Sequence, residues 1–122
     1  MKIYKIGIIG CGGIAKKMAA TLGKMKEVEC YAVASRSLEK ARTFADAWGF
    51  EKAYGSYEEL ADDPKVDLIY IATPHAMHYE NAHMCIEKGK PVLCEKAFTA
   101  NARQAESLLA FAKEKNVFIT EA

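Results

Sequence analysis

The chain has 122 residues, of which 51% are hydrophobic and 27% charged, with a formal charge of +1 at pH 7; that is ordinary for one soluble globular domain, which at this size buries roughly two thirds of its unfolded surface. So even a charge balance sets up no field for nucleic acid or acidic lipid, and no apolar run approaches the roughly 20 residues a membrane-spanning helix needs. Glycines at 7, 10, 12 and 13 break up any signal-peptide core, so a cytoplasmic protein with a small-molecule partner, and with neither nucleic acid nor membrane as partner, is expected.

Apolar, β-branched runs alternate with amphipathic stretches along the chain. Ile3 to Ile9 predicts a strand and Ile14 to Met25 a helix. Val28 to Ser35 and Leu38 to Trp48 repeat the pair, as do Val66 to Ala72 and His78 to Lys88. A strand at Pro91 to Cys94, a long helix from Ala102 to Lys115 and a strand at Val117 to Glu121 extend the series. This alternation predicts the α/β class: a doubly wound Rossmann fold with a mainly parallel sheet, as a single domain over residues 1–122.

Boundary chemistry agrees. Ser56 with Glu59 and Asn101 with Gln104 fit reciprocal helix-start caps, each worth ~1 kcal/mol, and Gly49 and Gly89 stand where helices should stop. The cysteines at 11, 30, 85 and 94 have no C-x-x-C spacing, so reduced thiols are expected and no metal site is indicated. The sequence stops at Ala122 directly after an apolar strand, which reads as a boundary inside a longer protein.

Between the first strand and the first helix stands Gly10-Cys11-Gly12-Gly13-Ile14-Ala15, a G-x-G-x-x-A match in the context that gives the motif meaning. Gly10 would permit the tight turn, Gly12 would let backbone amides approach a pyrophosphate, and Ala15 would keep the helix close to the sheet. The amides at the helix start, including those of Gly13 and Ile14, would hold the anion. A close-packed glycine turn without a ligand is the competing reading.

At the end of the second strand, where an acid would bind the adenosine ribose of NAD, the chain reads Ala34-Ser35-Arg36-Ser37. Ser35 and Arg36 can bind a 2'-phosphate, with Lys40 one helical turn on adding charge, so NADP is expected over NAD. Arg36 and Lys40 as solvated surface charges, with Ser37 as the helix N-cap, is the other reading, and for Ser37 it is preferred. Two further clusters, Thr73-Pro74-His75-Ala76-Met77-His78 and Cys94-Glu95-Lys96-Ala97, follow strands, at the edge where open α/β sheets bind ligands.

The glycine loop, Thr73-Pro74 with His78 behind it, Gly89-Lys90-Pro91-Val92-Leu93-Cys94-Glu95-Lys96, and Asn101 opening the next helix together resemble the glucose-fructose oxidoreductase, inositol dehydrogenase and rhizopine catabolism family (Gfo/Idh/MocA) over the whole chain. The Ser35-Arg36-Ser37 stretch and the ending are most similar to its dihydrodiol dehydrogenase branch. The resemblance implies reversible hydride transfer between a nicotinamide cofactor and a hydroxyl or ketone of a sugar, cyclitol or vicinal diol. It implies that Lys96 is catalytic, holding the substrate hydroxyl and assisting its proton transfer. Glu95 would lie near the nicotinamide ribose, and Thr73, Pro74, His75 and His78 would line the nicotinamide end. His78 has no derived catalytic task, and holding a neighbouring loop competes with carrying a proton. Ala97 departs from the family's proline, which loosens the expected placement of Lys96. The resemblance also implies a further α/β domain that closes the site and supplies an oligomer contact, so these residues alone are expected to bind nucleotide without turnover. A nucleotide-binding sensor without hydride transfer is the alternative. An S-adenosylmethionine-dependent methyltransferase is disfavoured, because its ribose-binding acid is absent and Glu95-Lys96 would go unexplained.

Overall fold

The computed structural model describes residues 3–94 and 102–121. The strands are β1 (Tyr4–Ile9), β2 (Val28–Ala34), β3 (Lys52–Tyr54), β4 (Leu68–Ile71), β5 (Val92–Cys94) and β6 (Ile119–Glu121), and the helices are α1 (Gly13–Leu22), α2 (Leu38–Trp48), α3 (Tyr57–Ala61), α4 (His78–Glu87) and α5 (Ala102–Lys115). The strands form one six-stranded sheet in the order β3-β2-β1-β4-β5-β6, and every neighbouring pair is parallel. The chain builds outward from β1 to β3, then crosses back to lay β4 on the other side of β1. The loops after β1 and β4 therefore part company and leave a crevice between them, as in any doubly wound Rossmann sheet.

Period-two alternation sends successive residues of each strand to opposite faces. Ile6, Ile8, Val33 and Tyr70 pack with Ala15, Ala19 and Leu22 of α1 and Phe44 of α2. Ile9, Ile69, Ile71 and Val92 pack with Leu60 of α3, Ile86 of α4 and Leu108 of α5. Both faces of the sheet are thus covered, which removes its apolar strands from water. Gly7 faces the α3 side so closely that a Cβ there would stand 2.7 Å from the Leu60 side chain. In β2 the register jumps from Cys30 to Ala32. Tyr31 is the extra residue of this bulge, and its ring joins the α3-side core beside Ala32.

Element boundaries follow local chemistry. Ser37 caps α2 by accepting from the Lys40 amide, and Gly49 and Gly89, both at φ 77°, follow α2 and α4. Helix α1 ends at Leu22, short of Met25, because the amides of Lys24 and Met25 turn back to the carbonyls of Thr21 and Leu22 and tighten the chain behind Gly23. At α3 the Ser56 hydroxyl accepts the Glu59 amide at 3.2 Å and donates to the Glu59 carboxylate at 3.0 Å, so the expected reciprocal cap closes through the serine side chain. The corresponding Asn101–Gln104 cap lies outside the described residues. Strand β3 has only three residues, too few for alternation to show in the sequence. Among the described residues no helix is long and apolar enough to cross a membrane, and no group of three or more His, Cys, Asp or Glu could hold a metal ion.

Candidate functional site

Three strand ends meet at Gly10. Its amide donates to Ala34 of β2 at 2.9 Å, while the Ala72 amide beyond β4 donates to Ile9 at 2.9 Å. Gly10 has φ 105°, and a Cβ on it would stand 2.9 Å from the Ala72 carbonyl oxygen. Only glycine fits there, both for conformation and for space.

The start of α1 is unlike the starts of α2 and α3. Its N-cap is Gly12, no side chain caps it, and its first turn holds no acid, whereas α2 and α3 carry serine caps and first-turn glutamates. The space around Gly12 and Gly13 is open, since a Cβ on either would meet nothing within 4 Å. A helix start with amides outside the helical ladder, a partial positive charge and an open approach is suited to an anion.

A groove of about 620 Å³ runs past this helix start. It brings together Gly10, Gly12, Gly13 and Ile14 of the glycine loop, Ser35, Arg36 and Lys40 from the end of β2 and the first turn of α2, and Thr73 and Pro74 beyond β4. Arg36 and Lys40 are exposed, and neither has an ion-pair partner among the described residues, so both charges stand open to a ligand. The Ser35 oxygen accepts the Ser37 amide at 3.2 Å, which braces the turn into α2. Burial pushes the Cys11 thiol up against the opposing pull of Ser35 and Lys40, so Cys11 stays a neutral thiol at neutral pH. A second depression of about 640 Å³ between α1 and α2 shares Cys11, Ser37 and Lys40 with the groove. None of the glycines lines it, so the uncapped start of α1 belongs to the first groove.

Two expected site residues do not line this groove. Ala15, on α1, is fully buried against the sheet, and His78 is fully buried at the start of α4. His78 Nε2 lies 2.6 Å from the Thr73 carbonyl oxygen; a carbonyl can only accept, so the imidazole donates and ties the loop to α4. Beside it the Thr73 hydroxyl donates to Asn81 Oδ1 at 2.6 Å. His75 opens a single 3-10 turn, His75–Met77, ahead of α4. His83 stacks on Phe111 of α5 at 4.3 Å between ring centroids and 6° between planes, a packing role. Glu95, Lys96 and Ala97 lie outside the described residues.

Sequence reasoning did not single out Tyr57 or Asn81. Tyr57 lines the groove beside Arg36, and the topology carries the only signal for it, because it opens α3 at the edge where β3 ends. Asn81 follows His78 by three residues and so shares its face of α4, the face that meets the loop after β4.

The Gfo/Idh/MocA profile, described as an oxidoreductase family with an NAD-binding Rossmann fold, matches residues 4–122. A trans-1,2-dihydrobenzene-1,2-diol dehydrogenase from Xenopus tropicalis is 43% identical over 120 residues, covering 97% of this chain and 36% of the relative. D-xylose 1-dehydrogenase (NADP(+)) from Hypocrea jecorina is 44% identical over 130 residues, covering 97% of this chain and 33% of the relative. Among solved structures, a 3-ketoreductase from Actinomadura kijaniata in complex with TDP-benzene and NADP superposes with a TM-score of 0.92 at 32% identity, covering 98% of this chain and 38% of that one. The chain thus spans about a third of the length of the relatives it matches.

Proposed function

The chain belongs to the Gfo/Idh/MocA oxidoreductase family, and from that premise we propose that it binds NADP, in preference to NAD, as the cofactor-binding part of an enzyme that oxidises or reduces a sugar, cyclitol or diol. The observation that carries the reading is the uncapped, acid-free start of α1 sharing one groove with Arg36 and Lys40. The amides suit the pyrophosphate. The paired cations, with no acid in Ala34-Ser35-Arg36-Ser37, suit a 2'-phosphate in place of free ribose hydroxyls. The NADP in the name of the xylose dehydrogenase relative and in the ketoreductase complex supports the same preference.

When bound, the nicotinamide accepts or donates the hydride. The chain's own residues do the rest. The glycine loop holds the phosphates, Arg36 and Lys40 hold the adenosine end, and the Thr73–Pro74 segment borders the other wall. Lys96 is assigned the substrate hydroxyl and its proton, and Glu95 the ribose next to nicotinamide; an ammonium so placed stabilises the developing alkoxide. A cytoplasmic setting fits four cysteines that form no disulfide. The relatives are nearly three times as long, so these residues alone are expected to bind nucleotide and turn over nothing measurable, with substrate choice and any homo-oligomer contact residing in additional chain.

Parallel calorimetric titrations with NADPH and NADH test the reading. NADPH should bind more tightly, and Arg36→Ala should remove about tenfold of its affinity while leaving NADH nearly unchanged, as expected for one charge-assisted phosphate contact. Failure of both dinucleotides to bind at millimolar concentration would overturn it.

A further inference from the structure

The loop after β4 is tied to α4 twice, and both ties end on one residue. His78 Nε2 donates to the Thr73 carbonyl at 2.6 Å, and the Thr73 hydroxyl donates to Asn81 Oδ1 at 2.6 Å. All three residues are buried, with His78 at 0% exposure and Thr73 and Asn81 at 6%. His78 fixes where the backbone of Thr73 stands. Asn81 fixes how its hydroxyl is turned.

The second tie has a chemical consequence. A hydroxyl has one proton and two lone pairs. With the proton committed to Asn81, the Thr73 oxygen can only accept. Thr73 lines the groove and its amide nitrogen lies against Gly10, where a Cβ would stand 3.3 Å from it. Phosphate oxygens are acceptors and gain nothing from such a group, whereas ribose hydroxyls and a carboxamide can donate to it.

We infer that Asn81 is a positioning residue of the groove: by taking the Thr73 proton it makes Thr73 an acceptor-only contact, which selects a ribose hydroxyl or amide of the dinucleotide at this point and keeps phosphate away. The inference rests on the dinucleotide reading above and adds to it the polarity of one wall. A purely structural tie would be served as well by an apolar pair of the same shape, because burying polar groups gains little even when they are bonded.

The test compares Asn81→Leu, Thr73→Val, Thr73→Ser and the double variant Asn81→Leu/Thr73→Val by calorimetry with NADPH and NADH, at a temperature where circular dichroism shows each variant folded. Asn81→Leu and Thr73→Val should each weaken both dinucleotides by about tenfold, the size of one hydrogen bond whose partner is left mismatched. The NADPH-to-NADH ratio should stay at its parent value, and the double variant should lose no more than Thr73→Val alone, since Asn81 acts through Thr73. Thr73→Ser, which keeps the hydroxyl, should bind as the parent does. Losses that add in the double variant, or failure of Thr73→Ser to rescue, reduce the pair to a structural tie and overturn the inference; so does unchanged binding by folded Asn81→Leu or Thr73→Val. Should Arg36→Ala discriminate between the cofactors while Asn81→Leu and Thr73→Val do nothing, the inference falls and the dinucleotide reading stands. A parent chain that binds neither cofactor overturns both.

Discussion

Asp63, in the loop that feeds β4, accepts from Tyr54 at 2.6 Å, from Tyr31 at 2.9 Å and from the Lys65 amide at 2.9 Å. At the opposite end of the sheet, Gly12 and Gly13 open α1 with no side-chain cap and nothing within 4 Å of where their Cβ atoms would stand. The same contrast extends around each region. Lys90 donates to the carbonyls of Asp63 and Val66, and Asp67 takes the Lys5 amide while its own amide donates back to Lys5. Where loops enter the strands, polar groups are satisfied within the chain; where the chain leaves β1 and β2, α1 starts without a side-chain cap, and Arg36 and Lys40 have no ion-pair partner among the described residues. A domain that orders its binding groups before a ligand arrives needs stability from somewhere other than those groups, and the core on both faces of the sheet and the bonded far edge can both contribute it.

The largest way to break this comparison is Asp63→Ala. It leaves two tyrosine hydroxyls and one amide without their acceptor, the Tyr31 bond buried and the other two part-buried, so urea unfolding should show a loss of about 2 kcal/mol. Nucleotide affinity of the folded variant should remain at the parent value. A loss of affinity matching the loss of stability would mean that the two edges are not separate in function.

Next in size is the response to pH. Burial first, then the bond to Asp63, pushes Tyr31 up to about 12, and the same causes raise Tyr54. Both tyrosines titrate at about 10 in the unfolded chain. A raised folded value favours the protonated, folded form, so this contribution is complete below about pH 10 and is lost as pH rises towards the folded values. Asp63 runs the other way. Burial alone would raise it, but the bonds from Tyr54, the Lys65 amide and Tyr31 and the charge of Lys90 lower it on balance. Its contribution is complete above about pH 4 and disappears as pH falls through the lower folded value. Stability measured by denaturant titration should therefore form a plateau bounded on both sides by this one cluster, and Tyr31→Phe should flatten the alkaline limb.

The two edges also differed in how far the sequence revealed them. The glycine loop was legible because each of its constraints is local: Gly10 needs positive φ, and α1 starts directly behind a strand. Arg36 and Lys40 were legible for the same reason, being one helical turn apart just past β2. The Asp63 cluster was not, since Tyr31 reaches it only because of a bulge in β2 and Tyr54 comes from a strand of three residues, and neither feature has a period to read. Asn81 was missed because its partner is eight residues away across the turn into α4, a contact set by packing. His78 was recognised as a residue of interest, but whether it faced a ligand or a carbonyl depended on the angle at which α4 meets the loop.

The sharpest version of the comparison is Gly12→Ala, where the two regions' demands can be separated at a single atom. Gly12 has φ −82° and ψ −168°, an extended backbone that alanine adopts freely, and its Cβ would meet nothing within 4 Å. Folding therefore has no objection to the methyl group, and unfolding free energy should stay within about 0.5 kcal/mol of the parent, as for a substitution without a packing partner. On the proposed reading binding does object, because the methyl would occupy the space through which a pyrophosphate would reach the amides of α1. Affinity for NADPH and NADH should fall together by about tenfold or more, since pyrophosphate is common to both. Alanine at Gly10 should instead lower both stability and binding, given φ 105° and the Ala72 carbonyl at 2.9 Å. If Gly12→Ala left both affinities intact, the open space at α1 would be a feature of the turn alone. The anion site would then have to lie elsewhere in the groove.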